Sequence, residues 1–280
     1  MKVLVVDYQS DEAPQHFVES LCETGFAVLR NHPISRERVA AIYEEWLAFF
    51  DSDAKRQYAY DHRRQDGYFG PEISETAKGF REKDLKEYYH VFDWGRFPKE
   101  VSRAAQDYFR DASGVAATLL SWIELQTPDE IKAQFSMPLS DMISASPRTL
   151  LRVLRYPPLT GDEAPGAQRA AAHEDINLLT VLPASNEPGL EVRDREGGWH
   201  AVPCDFGTLV VNAGDMLQEA SGGYYPSTTH RVTNPRGDER HRSRIAMPLF
   251  LHPRDEVILS AQHTALSYLE ERLREMGLGN

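Results

Sequence analysis

Ala172-His173-Glu174-Asp175-Ile176-Asn177 sets an imidazole and a carboxylate two positions apart, directly ahead of the apolar run Leu178-Leu179-Thr180-Val181-Leu182. In an extended chain residues i and i+2 face the same way. His173 and Asp175 can therefore aim at one point while Glu174 faces away from it. A second imidazole comes later, in Ser227-Thr228-Thr229-His230-Arg231-Val232. Two histidines and one carboxylate on one side of a metal leave the opposite side open, which suits non-haem Fe(II) and oxygen. The competing reading is a buried histidine hydrogen-bonded to aspartate. His200 and His252 share this β-rich region but have no carboxylate at i+2, and His241 sits in a charged loop.

The surroundings predict how this stretch is held. From residue 150 onward short β-rich runs alternate with Gly, Pro and Asn turns, at 150–156, 177–182, 190–193, 199–202, 208–212, 229–233 and 244–251. Such a pattern reads as a sandwich or barrel. Asp194-Arg195-Glu196-Gly197-Gly198 is a hairpin turn. Upstream, 3–6 and 26–29 read as strands around a helix at 14–23, with Gly25 leading into the second strand. Ser35 can cap the next helix. Its stripe of Val39, Ile42, Tyr43, Trp46, Leu47 and Phe50 at helical spacing is packing surface rather than a cofactor box. Residues 51–98 are irregular, aromatic and charged, a functional excursion or a surface one. Helices are expected at 99–125, at 129–135 and, closing the chain before Gly277, at 264–276.

The expected fold class is therefore mainly β with flanking helices: a double-stranded β-helix, or jelly roll, with an N-terminal helical layer and a C-terminal helix. Residues 1–148 would form an α/β segment packed on the core, 149–260 the jelly roll and 261–280 the last helix, all as one compact unit.

Composition narrows the partners. The 280 residues are 26% charged and 41% hydrophobic, ordinary globular proportions, and carry a formal charge of −12. That balance argues against nucleic-acid or membrane binding and favours a small-molecule substrate. Asp238 and Glu239 interrupt the basic run at 236–244, so a solvated loop is expected there. Two distant cysteines, Cys22 and Cys204, fit a reducing, cytoplasmic setting. The opening residues are too soon charged for a signal peptide. No apolar run approaches the roughly 18 residues of a membrane span.

A three-ligand iron can accept a bidentate oxoacid and still admit oxygen. If that oxoacid carries a distal carboxylate, a buried cation must meet it. In the final β run Arg244, Ala246, Pro248 and Phe250 share one face, and Ile245, Met247, Leu249 and Leu251 the other. The second face is apolar and should pack on helices. Arg244 then points inward, where an unpaired guanidinium is costly. A ligand carboxylate or an internal Asp or Glu could offset that cost.

Several segments in series resemble the isopenicillin-N-synthase-like family of 2-oxoglutarate/Fe(II)-dependent dioxygenases. They are Gly25-Phe26-Ala27-Val28-Leu29-Arg30-Asn31-His32, Asp84-Leu85-Lys86-Glu87, Leu151 to Pro158 ending in Tyr156-Pro157-Pro158, Pro188-Gly189-Leu190-Glu191-Val192, and Val211-Asn212-Ala213-Gly214-Asp215-Met216. The resemblance implies that His173, Asp175 and His230 are the iron ligands. It implies that Arg244 and Tyr156 bind 2-oxoglutarate, and that Asn212, Asp215 and His32 are mainly structural. The implied reaction oxidises a C–H bond of a small molecule, by hydroxylation, desaturation or cyclisation, with O2 as cosubstrate and release of succinate and CO2. Ascorbate would be an optional reductant, and the enzyme a monomer or homodimer.

The sequence departs from the family pattern at Ala246, where the family's "RxS" serine would stand, and at Glu174, where Thr or Ser is usual. Leu154-Arg155 replaces a frequent Asn-Tyr, and Arg155 should face opposite to Tyr156. Two other readings stay open. One is an Fe(II) oxidase that ignores 2-oxoglutarate, to which Ala246 lends weight. The other is a non-catalytic jelly-roll binding protein. Substrate contacts are expected from the 51–98 loops, the loop at 221–225 and the last helix, with Arg81, Tyr88 and Tyr89 as candidates.

Overall fold

The computed structural model describes residues 1–61, 64–73 and 82–275. In chain order its elements are β1 (Val5–Asp7), α1 (Ala13–Thr24), β2 (Phe26–Arg30), α2 (Arg36–Asp51), β3 (Gly67–Phe69), β4 (Glu87–Val91), α3 (Ala104–Gln126), α4 (Asp129–Lys132) and α5 (Leu139–Ile143). There follow β5 (Leu150–Tyr156), β6 (Ala170–His173), β7 (Leu179–Pro183), β8 (Leu190–Arg193), β9 (Trp199–Ala201), β10 (Leu209–Ala213), α6 (Asp215–Ala220), β11 (His230–Val232), β12 (Arg244–Ala246), β13 (Leu249–Leu251) and α7 (Ala265–Glu275).

Among the described residues the strands make two sheets. The larger runs β1-β2-β10-β7-β13-β5-β4-β3, with β12 also paired to β5; the smaller runs β6-β11-β8-β9. Facing one another, they form the expected jelly roll. β2 lies between β1 and β10, so residues ahead of 148 are woven into the same sheet as the later strands.

Strand alternation sorts the side chains into two layers. Ala27, Leu29, Val181, Leu209, Val211, Ile245, Leu249 and Leu251 pack with Phe17, Trp46 and Leu119 of the helical layer. The alternating residues Phe26, Val28, Leu154, Tyr156, Val210 and Ala246 join Leu190, Val192 and Val232 of the smaller sheet between the sheets. The apolar face of the final β run is thus where the period-2 pattern puts it.

The turns follow from local chemistry. Ser35 Oγ accepts the Arg38 N–H at 3.2 Å and starts α2. Gly25 closes α1 at φ +71°, its N–H bonded to Leu21 O. A Cβ there would lie 2.4 Å from Thr228 Oγ1, so Gly25 also admits the chain that leads to His230.

Several expectations change. The 51–98 segment contains β3 and β4, and β4 pairs along its length with β5. The 244–251 run is two strands broken at Met247-Pro248, because proline has no N–H for the ladder; its carbonyl instead accepts the Arg152 N–H at 3.0 Å. The long helix starts at Ala104 rather than 99, after Ser102 accepts the Ala104 N–H and donates to Glu45. α4 is one turn only, α5 and α6 are additional, and Met276 and Gly277 lie outside the described residues. Among the described residues no helix is long and apolar enough to cross a membrane. Both cysteines are free.

Candidate metal centre

His173 ends β6 and stands directly across from His230 on the antiparallel strand β11, with ring centroids 4.4 Å apart. Asp175 follows in the link to β7. The Nε2 atoms of His173 and His230 lie 3.9 and 3.8 Å from Asp175 Oδ1. All three donor atoms fall within 4.8 Å of one another.

The opposite atom of each donor is already engaged. His173 Nδ1 is 2.8 Å from Ala171 O, and His230 Nδ1 is 3.1 Å from Thr228 O. An Nδ1–H given to a carbonyl leaves the Nε2 lone pair directed at the shared point. Asp175 Oδ2 accepts the Thr180 hydroxyl at 2.6 Å and the Asn212 amide at 2.8 Å, which leaves Oδ1 free to face the imidazoles. Strands β6 and β11 of the smaller sheet thus carry the imidazoles, while β7 and β10 of the larger sheet orient the carboxylate.

Asn212 therefore has a more direct role than a turn residue. Gly214 is explained as well: a Cβ would sit 2.1 Å from the Asn177 carbonyl oxygen, which accepts the Met216 N–H.

Electrostatics prepare the donors. Burial, reinforced by the neighbouring His230, pushes His173 down to about 4. Burial pushes the Asp175 carboxyl up, but His230, His173 and the hydrogen bonds from Asn212 and Thr180 together hold it below the usual range. A neutral His173 imidazole beside an ionised Asp175 carboxylate suits a divalent cation. The set of two nitrogens and one oxygen fits Fe(II). Among the described residues no fourth His, Cys, Asp or Glu joins it, unlike a structural zinc site. Glu174 faces away, accepting the Thr229 hydroxyl.

Arg244 and Tyr156 are register partners on β12 and β5, with the guanidinium 5.3 Å above the ring. Arg244 is 3% exposed. Its Nε donates to the carbonyls of Glu187 (3.1 Å) and Pro188 (3.3 Å). Among the described residues no carboxylate pairs with it, so the internal ion pair is not what balances this charge. Burial pushes the Tyr156 hydroxyl up. Ala246 is buried on the same face.

The other candidates separate. Tyr88 faces the space between the sheets, stacked on Phe69 at 4.6 Å. Tyr89 turns to the opposite face, against Trp46, and its hydroxyl donates to Arg96 O at 2.9 Å; it is removed from the metal centre. Arg81 lies outside the described residues. In the 221–225 loop Tyr225 is buried beside Thr127 and serves packing. His32 Nε2 lies 3.0 Å from the Gly207 carbonyl oxygen.

Sequence reading passed over Arg152, which shares the inward face with Leu154 and Tyr156 and lies 4.5 Å from the Tyr88 ring. It singled out the segment 84–87 without foreseeing the buried Lys86–Asp84 pair, and it passed over Arg169. The parity that placed Tyr156 would have placed Arg152.

Two family profiles match the chain. Residues 148–253 match the 2OG-Fe(II) oxygenase superfamily, and residues 5–109 the N-terminal region of "non-haem dioxygenase in morphine synthesis". Proline hydroxylase buaE of Petromyces alliaceus is 30% identical over 85% of this chain and 82% of its own. A crystal structure of a Shewanella oneidensis protein is 54% identical, with TM-score 0.90, over 99% of this chain and 100% of that one. A full-length Neurospora crassa protein in complex with alpha-KG shares the fold at TM-score 0.79 and 21% identity, over 96% of this chain and 95% of that one.

Proposed function

The chain belongs to the 2OG-Fe(II) oxygenase superfamily, and we propose that His173, Asp175 and His230 hold its Fe(II) while Arg244 and Tyr156 receive the distal carboxylate of 2-oxoglutarate. It is an oxidoreductase, a 2-oxoglutarate-dependent dioxygenase acting on a small-molecule substrate. Bound iron, 2-oxoglutarate and O2 supply the oxidising power, with succinate and CO2 released.

The chain's own residues do the positioning. The Ala171 and Thr228 carbonyls hold the imidazoles by their Nδ1 atoms. Thr180 and Asn212 hold the carboxylate by Oδ2. Arg244, anchored through Nε by two backbone carbonyls, keeps the rest of its guanidinium for an incoming carboxylate. Tyr156 flattens the floor beneath it and stays protonated, able to donate. The stacked rings of Phe69 and Tyr88 form an apolar wall that would exclude water. Tyr88 is proposed as a substrate contact.

The observation that carries this assignment is the convergence of two back-bonded imidazoles on one free carboxylate oxygen. The buried, unpaired Arg244 favours use of 2-oxoglutarate over an oxidase that dispenses with it. We further propose that 1–148, 149–260 and 261–280 act as one unit, monomeric or homodimeric, in the cytoplasm, with ascorbate as an optional reductant.

An anaerobic titration of the Fe(II)-loaded protein with 2-oxoglutarate should develop the weak visible charge-transfer band of the chelate. Its absence at saturating cosubstrate would sink the proposal. His173→Ala should abolish Fe(II) binding, and a variant with normal iron content would remove His173 from the ligand set. Arg244→Ala should raise the 2-oxoglutarate requirement by about one to two orders of magnitude; unchanged succinate release at low cosubstrate would point to another cation.

A further inference from the structure

Arg169, immediately ahead of β6, is 1% exposed and among the largest fully buried side chains. Its Nη2 donates to the Arg242 carbonyl at 2.8 Å, and its Nε has no partner. Among the described residues no carboxylate lies within ion-pair distance; the nearby Glu187 pairs with Arg242 instead. Burial, then the charge of Arg244, pushes the Arg169 guanidinium down, against smaller opposing effects of Tyr156, Glu187 and Glu239. The Arg242 carbonyl that takes Nη2 stands two residues ahead of Arg244, which sets the Arg169 guanidinium beside the segment that leads into β12. Both guanidiniums are buried, and among the described residues neither has a carboxylate within ion-pair distance; Glu187 and Glu239 favour the Arg169 charge only from further off.

A charge without a partner is expensive to bury, and two neighbouring like charges more so. A fold keeps such a pair when a ligand supplies the anion. The position that would carry a hydroxyl beside Arg244 is Ala246, which offers no hydrogen bond. We infer that Arg169 is the second cation for the distal carboxylate of 2-oxoglutarate, supplying the donor that Ala246 lacks and selecting a dicarboxylate over a 2-oxo monocarboxylate. This rests on the proposed placement of that carboxylate at Arg244. Arg169 would bind and position the cosubstrate without touching the reacting carbon.

The test compares 2-oxoglutarate with 2-oxopentanoate, which has the same carbon chain and no distal carboxylate. Both are titrated by calorimetry and by the charge-transfer band into anaerobic Fe(II)-loaded wild type, Arg169→Met and Arg244→Met. Arg169→Met should weaken 2-oxoglutarate about tenfold to a hundredfold, the loss of one charge-assisted contact, and leave 2-oxopentanoate unchanged. The ligand-free Met variant should also melt higher than wild type, because an uncompensated charge is gone, while its 2-oxoglutarate-induced rise in Tm shrinks.

Equal weakening of both oxoacids, or unchanged affinity for 2-oxoglutarate, overturns the inference. So does a fall in ligand-free Tm with the ligand-induced rise intact, the signature of a merely structural arginine. Should Arg169→Met fail to fold, Arg169→Lys keeps the charge without the fork, and the same selective loss, smaller in size, is required of it. Failure of wild type to bind 2-oxoglutarate, or an effect at Arg169 with none at Arg244, would count against the placement at Arg244 rather than against Arg169 alone.

Discussion

Asn212 shows what a single side chain contributes around a metal. Its amide and the Thr180 hydroxyl fix one oxygen of Asp175, so the other has one direction to face. Outer partners of this kind change metal affinity about 10–100-fold when removed. Asn212→Ala should weaken Fe(II) binding by that order while its thermal transition stays cooperative; competition titration against a coloured chelator measures it. An unaffected iron affinity would return Asn212 to the turn residue it resembles in sequence. The cluster of His173, Asp175 and His230 and the inward face of Arg244 were legible because the rule that alternate strand residues share a face needs only local spacing. Arg169 was not. The register shifts between the His230–His173 and Val232–Ala170 pairs, and this bulge breaks the parity by which an upstream side chain could be assigned a side. Tyr88 and Tyr89 make the complementary case: adjacent residues on one strand must diverge, so only one of them could reach the interior.

Among the elements, β4 was hidden in a stretch that reads as an irregular loop. Glu87-Tyr88-Tyr89-His90-Val91 does alternate, but both faces are aromatic or polar, because one meets the helical layer and the other the space between the sheets. The helices were easier, since the α2 stripe has one apolar face and a serine cap. Where α7 docks, His263 lies between Glu219 of α6 and Glu271 of α7, at 2.9 and 3.3 Å. Ser260 and Tyr268 flank the cluster, and Arg272 pairs with Glu271. The bond to Glu219, and then that to Glu271, raises His263 above its ordinary 6.5 despite partial burial. A raised histidine contributes fully below its unfolded pKa, and that contribution is lost as pH rises through the folded one. His263→Gln should therefore lower Tm below pH 6.5 and change it little at about pH 9. A mutational effect independent of pH would show that His263 acts through packing.

On the scale of the whole molecule, iron and cosubstrate are ligands of the folded state alone. Each present at about 100 times its Kd adds about 2.7 kcal/mol to stability, which for a chain of this size is a rise of about 5–10 °C in Tm. Scanning calorimetry with Fe(II) and 2-oxoglutarate, then with excess chelator, should show the rise and its reversal. No rise at saturating ligand would mean that the site is not formed by the folded state. The global architecture was readable because turns separate the runs after residue 150 at regular intervals; the enlargement of the main sheet by β1, β2, β3 and β4 was not, since pairing over such sequence distances leaves no local mark. One arrangement reaches beyond the site itself. The imidazoles ride on one sheet, and the carboxylate that completes their set is aimed by the other. Iron occupancy is thus a gauge of how the two sheets are aligned. Core substitutions far from any ligand that let the sheets slide by a fraction of a side chain would empty the centre first, so iron content measured across a library of such variants would rank fold integrity before any loss of secondary structure became visible.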